Sequence, residues 1–218
     1  MGCDIHCFKE KKKNGVWVTA DVWEDKYADG KSVPYETRFT GRNYQLFGVL
    51  AGVRKETSVT VEARGMPADA CSEVKHAAES WGCDGHTHSW LTLAELKLLA
   101  LYVKTGSILQ GLGQQPVIGE AGTALAPIGP QLTGSVVSPI SGMMAATQWE
   151  KLRESIESGA PDWDLLYPYC ASTNSPDYVR FSVQVPLDYT VGEDLQRIIS
   201  GFEEVDGEDQ RLVFFFDN

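Results

Sequence analysis

Histidine is scarce in this 218-residue chain, with four in all, and the five cysteines are odd in number and scattered. Cysteines at positions 3, 7, 71, 83 and 170 do not form a disulfide framework in a chain this long, so reduced, mostly buried thiols are expected. No apolar run approaches the roughly 20 residues of a membrane-spanning helix. Basic side chains are outnumbered, 19 Lys and Arg against 30 Asp and Glu, for a net charge of −11. That balance disfavours duplex nucleic acid as a partner, because such binding relies on Lys and Arg neutralising phosphates. An anionic ligand would need a small local group, such as Arg42 and Arg54, or a metal. No apolar core follows Lys9, Lys11, Lys12 and Lys13, so a secretory signal is not expected and the cytosol is.

What is present is the composition of a globular protein, 43% hydrophobic and 22% charged. Cys3, Ile5 and Cys7 alternate with Asp4, His6 and Phe8, the two-residue period of a strand. Asn14-Gly15 then predicts a hairpin turn into a second strand over 16–19. Residues 24–40 read as a turn-rich surface excursion, and 43–54 as an amphipathic helix with Asn43 as N-cap. Helices are further expected over 72–80, over 92–104 with a Thr92/Glu95 capping box, and over 147–158. Strands are expected over 58–61, 178–185 and 211–216, with a helix from Gly192 to about Phe202. The last strand–helix–strand run suggests a parallel crossover. Between Gly106 and Gly142 the chain is rich in Gly and Pro and lacks aromatic and basic side chains, which predicts a long flexible insertion or lid. The fold class is α+β: a single domain over 1–218 with a mixed β-sheet and helices mainly on one face.

The chemistry concentrates in residues 81–90, where Asp84, His86 and His88 lie between Trp81 and Trp90. The tetrad Cys-Asp-x-His occurs there and again at 3–6. In extended backbone Asp84, His86 and His88 share a face, as do Asp4 and His6. If the two segments meet, these five side chains converge as ligands for zinc, manganese or iron, whose bound water could attack a phosphate ester. In that reading Asp84, His86 and His88 form the catalytic centre, and Asp217 is a further ligand or base. Arg42 and Asn43, at a positive helix end, would orient phosphate, with Tyr44, Trp81 and Trp90 stacking against a base. Cys3, His6, Cys83 and His86 could alternatively close a structural zinc site. A third alternative has Asp84 and His86 hydrogen-bonding a tight loop before the capped helix while Asp4 and His6 hold a strand edge.

Residues 84–89 (DGHTHS) resemble the first metal-binding motif of the polymerase-and-histidinol-phosphatase phosphoesterases, Asp-x-His-x-His-Ser. Over longer blocks, MGCDIH at 1–6, GRNYQLFGVLAGVR at 41–54, WGCDGHTHSWLTLAEL at 81–96 and the ending FFFDN, the chain resembles a group of uncharacterised bacteriophage and prophage proteins. That resemblance implies a viral origin and action in the bacterial cytosol. The expected function is a metal-dependent phosphoesterase acting on a small nucleotide, such as a host immune signal. The alternatives are a protein that sequesters such a nucleotide uncleaved and an inhibitor that docks on a host protein.

Overall fold

The computed structural model describes residues 2–27, 30–34, 37–54, 57, 59–105, 136–167, 177–202 and 210–218. A four-stranded antiparallel sheet organises them, in the order β2 (Val16–Thr19), β1 (Asp4–Lys13), β8 (Gln210–Asp217), β5 (His86–Thr92). The opening hairpin forms as its sequence requires: Asn14 and Gly15 adopt φ of 53° and 79°, the left-handed pair of a tight two-residue turn. β8 is buried along its whole length because both of its faces are covered. Leu212, Phe214 and Phe216 point to one side, Val213 and Phe215 to the other.

On the first side lie α1 (Tyr44–Ala51), α3 (Leu93–Thr105) and α5 (Leu187–Ser200), contributing Leu46, Phe47, Leu96, Leu99, Val191 and Leu195 to the larger core. The second side is covered by α2 (Ser72–Ser80), whose Val74 and Ala78 pack on Phe8, Val213 and Phe215. Asn43 caps α1 as expected, its Oδ1 accepting from Leu46 N at 3.1 Å. The Thr92/Glu95 capping box also closes, with reciprocal bonds of 2.8 and 3.2 Å. Glu95 is in addition gripped by both terminal nitrogens of Arg64, at 3.0 and 3.2 Å.

Several local expectations need correction. The excursion over 24–40 contains a two-stranded hairpin, β3 (Glu24–Tyr27) with β4 (Gly30–Ser32). Residues 59–61 form no ladder; instead the segment ties to α1 through Val61 N on Val49 O at 2.8 Å. The expected insertion ends sooner than Gly142, since β6 (Val137–Ala145) is a strand that buries Ile140 and Met144, and 106–135 lies outside the described residues. The helix expected from Gly192 starts at Leu187, because Leu187, Val191, Leu195 and Ile198 form one continuous apolar stripe.

Among the described residues no parallel crossover forms, and every ladder is antiparallel. β7 (Tyr178–Pro186) pairs with β6 in a separate two-stranded sheet, while β8 enters the four-stranded one. The β6–β7 pair has its own core with α4 (Ala146–Glu157) and a 3-10 turn at Trp163–Leu166. Among the described residues no helix is long and apolar enough to cross a membrane.

Candidate functional site

The N-terminal segment and the histidine-rich stretch do come to the same end of the sheet, with β8 between them. His6 lies opposite Phe215 in the β1–β8 register. Its ring stacks on Phe215 at 4.8 Å and meets the Trp81 indole at 4.4 Å. The imidazole Nε2 bonds to Asp217 Oδ2 at 3.1 Å, and Asp217 Oδ1 accepts from Asp4 N at 3.0 Å. His6 is thus positioned from three sides. Burial pulls its pKa down from the ordinary 6.5, with the Asp217 carboxylate opposing.

His88 lies against Phe215 from the other strand, at 5.2 Å. Burial, helped by the neighbouring His86, also lowers its pKa. His86, however, is turned away. Thr87 takes a left-handed φ of 50°, and between the His86↔Phe216 and Ser89↔Phe214 pairs β5 holds two residues where β8 holds one. This is a β-bulge, and it puts His86 on the face of Phe216 and α1, opposite His88. His86 Nδ1 is engaged with Thr87 Oγ1 at 2.9 Å, and its Nε2 is buried without a hydrogen-bond partner among the described residues.

The five expected metal ligands therefore do not converge. His6 and His88 flank an intervening strand, a separation of about 10 Å for two strand spacings, whereas two nitrogens on one zinc ion lie within about 4 Å of each other. Asp4 is held by Arg42 through bonds of 2.7 and 2.6 Å, and that guanidinium keeps its carboxyl below the usual range. Asp84 lies in the exposed turn ahead of β5, where Cys83 Sγ approaches its carboxylate at 3.9 Å. Among the described residues no group of three or more His, Cys, Asp or Glu side chains is placed to hold a metal ion. The expected ligands, as the described residues place them, do not fit a divalent centre or the Cys/His zinc alternative: Cys3 is buried on the α1 face and Cys83 is exposed.

The expected ligand-binding residues are also mostly engaged. Arg42 is committed to Asp4. The Asn43 side chain caps α1 and donates to Thr190 O and Asp194 Oδ2 at 2.6 and 2.8 Å, which ties α1 to α5. Tyr44 lies under the Arg54 guanidinium at 4.8 Å. Trp90 has Arg64 at 4.8 Å and Arg211 at 5.6 Å over its ring. Arg42 stays exposed despite its pairing with Asp4, and Trp81 keeps a large open surface, 40% exposed, while leaning on His6. Gly85 permits that approach, since a Cβ there would lie 3.0 Å from Trp81 Cβ.

Two groupings were not foreseen from the sequence. Arg211 is buried against Trp17 at 4.0 Å and bonds Glu10 at 2.7 Å and Asp69 at 2.9 Å, while Glu10 accepts from Cys71 N at the start of α2. The second is a cleft of about 160 Å³ at the outer edge of β1, lined in part by Lys9, Asp21, Arg38, Phe39 and Arg197. Its cations come from three distant segments, and no local spacing signals such a group. No family model, curated protein or solved structure matches the chain.

Proposed function

We propose that this chain binds a small nucleotide at the end of the sheet where Trp81 overlies His6, and that it holds the ligand without a resident metal. One observation carries the reading: the half-open Trp81 indole is preorganised on an imidazole that Asp217 and Phe215 hold in place. A base stacked on such a plane gains about 1–3 kcal/mol, and a platform already fixed in place loses little entropy on binding. His88, half-buried on the same face, lies across Phe215 from that platform. The resemblance to bacteriophage proteins makes a host immune nucleotide in the bacterial cytosol the ligand class of first interest.

A second reading, phosphoester cleavage, is favoured by the Asp217–His6 pair, because a carboxylate that orients an imidazole suits it to proton transfer. It requires no step through a metal. Incubation with cyclic dinucleotides and ADP-ribose derivatives, followed by denaturation, separates the readings. Ligand retained and recovered intact supports binding, with Trp81→Ala weakening retention by about tenfold or more. Cleaved ligand that disappears in His6→Gln supports catalysis. Neither retention nor cleavage overturns both and favours docking on a host protein through the acidic surface.

A further inference from the structure

We propose that the cleft at the outer edge of β1 is an anion site that takes the phosphate or pyrophosphate end of a small metabolite, independently of the Trp81 platform. β2 pairs only with Glu10 to Lys13, so the outer edge of β1 nearer the N-terminus is covered by other segments. Ala20 N reaches Lys9 O at 2.8 Å and Asp21 Oδ2 accepts from Lys9 N at 2.6 Å. The 37–39 segment and the C-terminal end of α5 complete the walls, which include Arg38, Phe39, Arg197 and Ile198.

Charge is the first argument. In a chain of net charge −11, this lining holds three cations, Lys9, Arg38 and Arg197, against one carboxylate, Asp21, for a lining charge of 3 − 1 = +2. Asp21 is turned inward, its side chain 3% exposed and its Oδ1 3.3 Å from Lys9 Nζ. Arg197 can reorient over the opening: its side chain is 65% exposed, it approaches Asp194 only to 3.9 Å, and it lies 5.9 Å above the Phe39 ring. Guanidinium groups match phosphate oxygens with paired donors, and an ammonium group adds a point charge beside them.

Size is the second argument. A cavity of about 150 Å³ accommodates a molecule the size of benzene, and sites for drug-sized ligands run from about 300 Å³ upward. At about 160 Å³ the cleft admits a phosphate or pyrophosphate group with a few carbons against Cys7, Ile198 and Leu212, not an entire dinucleotide. Burial drives the Cys7 thiol far up from its ordinary pKa, which makes it wall and not nucleophile. The site is built for binding.

Titration calorimetry with inorganic pyrophosphate, against potassium chloride at matched ionic strength, tests this. The expected result is saturable binding that weakens by about tenfold or more in Arg197→Gln and in Arg38→Gln, while Trp81→Ala binds as the unmodified protein does. Arg197→Gln decides the question even if Arg38→Gln folds poorly, because the Arg197 side chain is mostly in solvent. Absence of heat beyond the chloride control, or undiminished binding in Arg197→Gln, overturns the proposal. Loss of binding in Trp81→Ala overturns its independence from the nucleotide platform.

Discussion

His86 and His88 lie on opposite faces of the sheet although only Thr87 separates them, because Thr87 forms a left-handed bulge in β5. Positive φ is costly for a β-branched residue, roughly 1–2 kcal/mol. Replacing Thr87 by Gly is expected to raise stability by about 1 kcal/mol despite losing the His86–Thr87 bond. The midpoint of denaturant unfolding measures it, and a drop of similar size would mean that the hydroxyl bond outweighs the backbone strain.

The same bulge bears on metal binding. Because His6, His86 and His88 do not share a ligand sphere, protein purified without added metal should carry well under one equivalent of any transition metal. Treatment with a chelator should leave its thermal midpoint unchanged. Elemental analysis finding a stoichiometric metal that vanishes in His88→Ala would contradict this geometry.

Acid sensitivity follows from the two histidines on the Phe215 face. Both have pKa values lowered from 6.5 by burial; Asp217 and Asp4 oppose that shift at His6, while Arg38 reinforces it there and His86 reinforces it at His88. As the pH falls below 6.5 the unfolded chain takes up protons first, so stability falls on acidification and is fully present only above that value. Thermal midpoints recorded between about pH 7.5 and 5 should decline toward the acid end. His88→Asn should flatten the slope, since it removes one of the two groups without touching the His6–Asp217 bond.

Arg211 and Glu10 predict the largest effect of a single substitution. Glu10 is 0% exposed, and it bonds both Arg211 and the backbone of Cys71. Arg211→Met leaves that carboxylate buried without its main partner, at an expected cost of about 3–5 kcal/mol. The paired replacement Glu10→Gln with Arg211→Met should recover most of the loss. Equilibrium unfolding of the single and double variants checks both statements, and additive losses would show that the two residues are not coupled.

Much of the fold was legible because its signals are local. The alternation over Cys3 to Phe8, the Asn14-Gly15 turn, the Asn43 cap and the Thr92/Glu95 box each lie within a few residues, and each forms as read. The parallel crossover failed because strand pairing is a choice among distant partners: β7 found β6 beside it in space, and β8 was taken between β1 and β5. The convergence expected of the histidines failed for two reasons: β8 lies between His6 and His88, and a bulge turns His86 to the other face. A single extra residue in a strand reverses the face of everything before it, and Thr-containing strands carry no composition signal for a bulge.

By itself the sequence determined an acidic α+β protein whose N-terminal and histidine-rich segments both carry polar groups suited to a site. Local backbone preference and hydrophobic period suffice for that. Only the tertiary structure decided that His6 belongs with Asp217 and Trp81, that His86 faces the other way, and that Lys9, Arg38 and Arg197 surround one cleft. Those relations depend on strand order, one bulge and the docking of α5, which are set by the joint burial of apolar surface across the whole core.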